Sequence, residues 1–133
     1  MLAGVADTHT VIWYLYAAPR LSQTAKEFLD LAAATGDQIG ISSITLIEMV
    51  YLIEKGRIAI ESFSRLAAVL QEPGGMFTEI PPDLRVSRAL LRVDPAAIPD
   101  MPDRIIAATA LCMGVPLVSK DSKIRLSAIT TIW

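Results

Sequence analysis

Four acidic residues stand just past predicted strands or near the start of the helices that follow: Asp7, Glu48, Asp103 and Asp121. Asp7 directly follows the apolar run Leu2–Ala6, and Asp121 comes one lysine after Pro116–Ser119. The carboxyl ends of parallel strands share one edge of a sheet, so these side chains are expected to lie together. Hard divalent cations such as Mg²⁺ bind oxygen ligands, and metal-assisted phosphoryl chemistry needs several carboxylates at one place. The pattern therefore predicts a carboxylate site for one or two divalent cations.

Each of these acids also has a purely structural alternative. Asp7 could cap the helix that follows it, and Asp121 suits a turn. Thr45 and Glu48 have the spacing of a capping box, in which both side chains satisfy free backbone amides. Asp103 follows a proline and suits the acidic N-terminus of a helix. No single acid decides between the two interpretations; their shared placement favours the metal site.

Other catalytic chemistries lack their residues in this chain. His9 is the only histidine and Cys112 the only cysteine, so no His/Cys zinc set can form. Neither a Gly-x-Ser-x-Gly nucleophile motif nor a glycine-rich phosphate loop is present. We expect His9 to be structural, with a position in the cleft as the alternative.

The elements that must position the acids alternate between short strands and longer helices. Strands are predicted at 2–6, 39–42, 76–80, 116–119 and 127–132. Helices are predicted at 9–17, from Ser22 as cap to Gly36, after Ser42 through 53, around 63–70, after Pro82 to about 92, and at 103–113. The apolar neighbours of Glu48 predict that its helix is largely buried. The alternation predicts an α/β fold with a central, mostly parallel sheet and helices on both faces.

Length and composition limit the class of protein. The chain of 133 residues suits one domain over 1–133, and a formal charge of −2 lacks the basic character typical of nucleic-acid binders. Carboxylates neutralised by bound cations would offset that charge. Although 53% of the residues are hydrophobic, no run approaches the ~20 apolar residues of a bilayer span, and no secretory signal is evident. With a single cysteine, the chain is expected to be cytoplasmic, with no membrane partner.

Four segments carry a resemblance to a known family: Ala6–His9, Ser42–Met49, Pro102–Ala110 and Leu117–Asp121. The chain resembles PIN-domain proteins, and specifically the VapC-type toxins of bacterial and archaeal toxin–antitoxin pairs. The first segment is similar to the motif in which a strand delivers an acid followed by Thr or Ser. The third, Pro-Asp-Arg-Ile-Ile-Ala-Ala-Thr-Ala, is the most specific. Order, spacing and total length all match, so the resemblance covers nearly the whole chain.

The resemblance implies a three-layer α/β/α PIN-like fold and an endoribonuclease that depends on Mg²⁺ or Mn²⁺. It implies that the four acids are catalytic and metal-binding, with Thr8 and Ser119 as supporting hydroxyls. Asp100 matches a further acid of many relatives, although the histidine often found upstream is missing here, which leaves its role open. The resemblance also implies an RNA substrate, a cognate antitoxin and a homodimer.

Basic residues near the acids are candidates for contacts to the RNA backbone. Arg104, Lys120 and Lys123 lie within a few residues of Asp103 or Asp121. Solvated surface charge is the alternative for each of them.

Two rival functions remain. A PIN module without a toxin role, in RNA processing or non-catalytic interaction, would keep the fold, but retention of all four acids disfavours a non-catalytic one. A phosphatase of the haloacid dehalogenase type would need a second Asp two residues after Asp7, where this chain has His9.

Overall fold

Five parallel strands form the centre of the protein, and seven helices surround them. The computed structural model describes residues 1–133. Along the chain the elements are β1 (Leu2–Ala6), α1 (Thr8–Leu15), α2 (Gln23–Thr35), β2 (Gln38–Ser42), α3 (Ser43–Glu54), α4 (Ile60–Gln71), β3 (Phe77–Ile80), α5 (Leu84–Leu90), α6 (Met101–Met113), β4 (Leu117–Val118), α7 (Ser122–Arg125) and β5 (Thr131–Ile132). None of the helices has the length and apolar character needed to cross a bilayer.

The strand order of the sheet, β3-β2-β1-β4-β5, places the first strand in the middle. Every neighbouring pair is parallel. From β1 the chain builds outward through β2 and β3, and then crosses to the other side of β1 to form β4 and β5. The order therefore changes direction between β1 and β4. In open α/β sheets, ligands bind at the carboxyl ends of the strands that flank such a point.

Two hydrophobic cores lie on the two faces of this sheet. Successive strand residues point to opposite faces, and accordingly Ala6 and Val118 belong to one core, while Val5 and Leu117 belong to the other. The first core includes side chains of α1, α2 and α4, and the second includes side chains of α5, α6 and α7. The predicted α/β class with helices on both faces is confirmed.

Some element boundaries differ from those predicted. The last strand covers only Thr131–Ile132 rather than 127–132. Ser127 instead forms a turn, in which its hydroxyl donates to the carbonyl of Ile124 and accepts the N–H of Ile129. The apolar residues of this segment suggested a strand. The hydrogen bonds of the Ser127 hydroxyl to nearby backbone groups hold the chain in a turn instead.

Helix α3, which carries Glu48, is far less buried than its composition predicts. Only Thr45 and Met49 are fully buried, whereas Ile47, Val50 and Tyr51 are exposed. A helix that packs on a core along one side buries one stripe of residues, whatever the composition of its other sides. The prediction of a largely buried helix was wrong for this reason.

The burial of α3 gives a matched pair of substitutions. Met49→Ala should lower the free energy of unfolding by about 2–4 kcal/mol, because Met49 is wholly enclosed. Ile47→Ala, on the same helix but 63% exposed, should change it by no more than about 0.5 kcal/mol. Urea unfolding of both variants measures the difference. Equal losses would contradict the assignment of the buried stripe.

Candidate active site

A cleft of about 640 Å³ lies at the carboxyl ends of β1 and β4, where the strand order changes direction. Its acidic lining consists of Asp7, Glu48, Asp100, Asp103 and Asp121. The structure thus brings together all four acids singled out in the sequence, with Asp100 as a fifth. Their roles as ligands or catalysts stay predictions, but their convergence on one cleft is a property of the fold.

Asp7 is held by hydrogen bonds on both carboxylate oxygens. It caps α1 by accepting the backbone N–H of Thr10 on Oδ1 at 2.9 Å, and its Oδ2 accepts the hydroxyl of Ser119. The hydroxyl of Thr10 donates to the carbonyl of Val118 at 3.0 Å, which ties α1 to the end of β4. Each carboxylate oxygen has two lone pairs. Asp7 therefore caps a helix and also holds its carboxylate oxygens in one orientation, in which they could bind a cation. Its side chain is buried.

Glu48 lies in the second turn of α3, and the capping box considered as its structural alternative is wrong. Ser42 caps this helix by accepting the backbone N–H of Ile44. Glu48 instead accepts the hydroxyl of Thr8, which lies 3.1 Å from the hydroxyl of Thr45. Burial raises the pKa of Glu48 above its usual value, and the negative charge of Asp100 adds to the rise, while the bond from Thr8 opposes it.

Asp100, and not Asp103, caps helix α6. The helix begins at Met101, two residues earlier than predicted, and Oδ2 of Asp100 accepts the backbone N–H of Asp103 at 3.1 Å. The carboxylate of Asp103 takes no part in this cap. Asp103 does lie in the first turn of α6, as its structural alternative predicted, but it does not cap the helix. Asp100, whose role the sequence left open, is the cap and also lines the cleft.

The electrostatic consequence of this crowding is largest at Asp103. Burial and the surrounding negative charges together raise the pKa of Asp103 to about 7. Burial is the largest cause, followed in order by the charges of Asp100, Asp121, Glu48 and Asp7. None of the five carboxylates forms a salt bridge, since the ion pairs of the protein involve Asp37, Asp30 and Asp83. No cationic side chain of the protein therefore pairs directly with these carboxylates.

Asp121 caps the short helix α7 and is linked to Asp7 through Ser119. Its Oδ1 accepts the backbone N–H groups of Lys123 at 2.8 Å and Ile124 at 3.3 Å. The backbone N–H of Asp121 donates to the hydroxyl of Ser119 at 3.1 Å, and that hydroxyl donates to Asp7. Ser119 thus fixes two acids of the cleft relative to each other.

The chemistry of the donors suits a hard divalent cation. All the charged donors are carboxylates, and Mg²⁺ typically uses one or two of them directly, with water and substrate oxygens completing its shell. No three of these side chains already form a closed ligand cluster. The fit therefore rests on the oxygen chemistry of the carboxylates and on their lack of ion pairs.

The basic residues near the acids separate into two groups. Lys120 and Lys123 line the cleft. Arg104 does not: one terminal nitrogen lies 3.5 Å from the carbonyl of Val93, and its Nε is buried without a partner. One residue along a helix is a rotation of about 100°, so Arg104 projects away from the cleft that Asp103 faces. Closeness in sequence was a poor guide there.

Three residues at the cleft were missed or misassigned in the sequence. His9 is exposed and lines the cleft, so the structural role expected for it was wrong. Trp13 and Arg20 line the cleft as well. The spacing of His9 and Trp13, four residues apart on one helix face, could have indicated Trp13. Arg20 lies between two helices and carries no comparable signal.

The sequence model of the PIN domain family matches residues 5–129, a segment that includes all five acids of the cleft. This chain belongs to the PIN domain family. Ribonuclease VapC22 of Mycobacterium tuberculosis is 28% identical over 131 residues, covering 94% of this chain and 92% of that protein. It is one of the proteins to which this PIN domain is similar in sequence.

Solved structures share the fold of this PIN domain at lower sequence identity. VapBC2 from Rickettsia felis, bound to a DNA fragment from its promoter, matches with a TM-score of 0.71 and 20% identity over 98% of this chain and 97% of that one. A toxin–antitoxin complex from Klebsiella pneumoniae matches with a TM-score of 0.66 and 22% identity over 98% and 97%. At these identities the two structures establish the three-layer α/β/α fold.

The raised pKa of Asp103 predicts how the stability of the metal-free protein depends on pH. Between about pH 4, where an unfolded Asp ionises, and a pH of about 7, the folded state holds a proton that the unfolded chain has released. Stability contributed by this group is therefore lost as the pH rises through that window. Asp103→Asn removes this ionisable group. After allowance for solvent screening, the free energy of unfolding of the metal-free variant should exceed that of wild type by about 1 kcal/mol.

Denaturant unfolding in chelator at both ends of that window measures the effect. Asp94→Asn is the control, because Asp94 lies outside the cleft and Asn can still accept the backbone N–H of Ala96 that Asp94 accepts. Added Mg²⁺ should stabilise wild type more than Asp103→Asn. If wild type and Asp103→Asn showed the same pH profile and the same response to Mg²⁺, Asp103 would be neither the titrating group nor a ligand.

Proposed function

We propose that residues 1–133 form a single nuclease domain that cleaves RNA internally with the help of a divalent cation, Mg²⁺ or Mn²⁺. The observation that carries this proposal is a cleft in which five carboxylates meet without a salt bridge. Membership of the PIN domain family and the similarity to a protein named as a ribonuclease support RNA as the substrate.

Two of the acids are the best candidates for direct ligands. Glu48 and Asp103 accept no backbone N–H, whereas Asp7, Asp100 and Asp121 cap helices. We assign one cation to Asp7, Glu48 and Asp103, and a second cation or a water-mediated contact to Asp121. A bound divalent cation would lower the pKa of water and stabilise the negative charge that develops on the phosphate.

The other residues of the site act by holding these donors in place. Ser119 and the backbone of Thr10 fix the two oxygens of Asp7, so the carboxylate keeps one orientation. The hydroxyl of Thr8 does the same for one oxygen of Glu48. Carboxylates that are already held in place do not have to reorganise when charge develops in the transition state. Such preorganisation is the main source of electrostatic catalysis.

We further propose that the domain is the toxin of a VapBC-type toxin–antitoxin pair. The relative named VapC22 and the toxin–antitoxin complex from Klebsiella pneumoniae support this role. In this proposal the protein acts in the cytoplasm as a homodimer, and a cognate antitoxin silences it.

Purified protein should cleave RNA with Mg²⁺ or Mn²⁺ and lose that activity in excess chelator. Asp7→Asn, Glu48→Gln and Asp103→Asn should each lower the rate about a hundredfold or more, because each removes a carboxylate charge that holds the cation, and the cation would stabilise the negative charge on the phosphate. Asp121→Asn should lose less. Initial rates on a labelled RNA measure the series.

Asp83→Asn is the matched control for these substitutions. Asp83 caps α5 as Asp7 caps α1, but it does not line the cleft. Its Asn variant should keep wild-type rates, since Asn caps a helix as well as Asp does. Full activity in chelator, or wild-type rates for Asp103→Asn, would overturn the proposal.

Expression of the chain alone should arrest bacterial growth, and co-expression of a cognate antitoxin should relieve the arrest. Asp103→Asn, expressed at the same level, should allow growth, because arrest requires RNA cleavage. Growth curves and protein levels measured together test this. Normal growth with abundant, RNase-active wild-type protein would instead indicate a PIN nuclease with a role in RNA processing.

A further inference from the structure

We propose that Trp13, Arg20 and Lys120 form a binding site for the backbone phosphates of the RNA strand, beside the carboxylates. We call these three residues the cationic rim. This inference rests on the proposed function, because it takes RNA as the substrate. The rim would bind the backbone phosphates, which the negatively charged carboxylates cannot bind. The site joins two distant parts of the chain: Arg20 lies between α1 and α2, and Lys120 follows β4.

Both cations of the rim are held by the same aromatic ring. The Cζ atom of Arg20 lies 5.7 Å from the centroid of the Trp13 ring, and Nζ of Lys120 lies 5.8 Å from it. A cation within about 6 Å of an indole ring is attracted by the electron density of its face. Trp13 is anchored in turn by contacts with Trp133, at 5.9 Å between ring centroids, and with the first core.

The rim cations line an acidic cleft and yet form no ion pair with it. Arg20 and Lys120 share the cleft with five carboxylates, but neither takes part in a salt bridge. The positive charge is thus kept apart from the negative charge within one cleft. The carboxylates remain free for a cation, and the rim remains free for an anion.

An RNA strand supplies the anion that this arrangement fits. The carboxylates repel phosphates, so a strand needs positive charge beside them to enter the cleft. Single-stranded nucleic acids bind to grooves that combine basic side chains with aromatic rings on which bases stack. The exposed ring of His9 lies 5.6 Å from Trp13 at a 44° tilt and extends the aromatic surface toward the cleft.

The test compares rim variants with cation–ring pairs elsewhere on the protein. Arg20→Gln and Lys120→Gln each remove one rim charge at an exposed position. Arg65→Gln and Lys55→Gln are the controls: Arg65 lies 4.5 Å from the ring of Tyr16 and Lys55 lies 5.4 Å from that of Tyr51, outside the cleft. Melting temperatures verify that each variant is folded.

The probe is a fluorescein-labelled single-stranded RNA oligonucleotide. Its Kd is measured by anisotropy in chelator across a range of KCl concentrations, and KM and kcat are measured with Mg²⁺ or Mn²⁺. Each rim variant should raise Kd about three- to tenfold at about 0.1 M salt and reduce the slope of log Kd against log salt by about 0.7. KM should rise more than kcat falls, and the controls should match wild type.

Trp13→Leu provides a second and independent readout. If the ring positions Lys120, Lys120→Gln should weaken binding less in the Trp13→Leu background than in wild type. Fully additive effects, or rim variants with the Kd and salt slope of the controls, would overturn the rim. If wild type cleaves no RNA but the rim variants still weaken binding, the rim stands and the proposed nuclease function fails.

Discussion

Repulsion among carboxylates is the constraint around which the cleft is built. Two like charges about 4 Å apart at an effective dielectric near 20 repel by roughly 4 kcal/mol, and this cleft contains five acids without an ion pair. The surrounding structure offsets this cost with hydrogen bonds. Asp7, Asp100 and Asp121 accept backbone N–H groups at helix N-termini, where the helix dipole also favours negative charge. Glu48 and Asp103 accept no backbone N–H, and burial raises the pKa of both. Asp103 does share the first turn of α6, but its carboxylate accepts no backbone hydrogen bond. The two acids without such a bond are therefore the ones best suited to receive a cation.

Helix capping and metal binding are compatible roles at the same side chain. Asp7 uses Oδ1 as a cap and Oδ2 as the acceptor for Ser119, while lone pairs on both oxygens remain available. The cap fixes the start of α1, and the bond from Ser119 fixes the carboxylate to the end of β4. Because the same hydroxyl also accepts the N–H of Asp121, displacement of one acid would disturb the other. Loss of Ser119 would thus loosen the site without removing a ligand.

Separation of charge inside the cleft links its structure to its substrate. A nuclease of this kind must attract both a cation and a polyanion to neighbouring points. Direct ion pairs between Lys120 or Arg20 and the carboxylates would neutralise both. The ring of Trp13 offers the cations an alternative partner, so the two charges coexist in one cleft. The overall charge of −2 does not reveal this local arrangement, because it sums the acids and the basic residues of the cleft with those of the rest of the surface.

The sequence by itself determined the fold class, the order of the elements apart from the short helix α7, and the convergence of four acids on one edge of the sheet. These follow from local rules: apolar runs define strands, Ser22 and Gly36 bound a helix, and acids follow the strands at the edge where parallel sheets bind ligands. Only the tertiary structure decided which acid is a cap and which is free, because Asp100 and Asp103 compete for the same helix start. It also directed Arg104 away from the cleft and brought Arg20 to Trp13 and Lys120. Such contacts join residues far apart in the chain or depend on one rotation of a helix, and no local pattern records either.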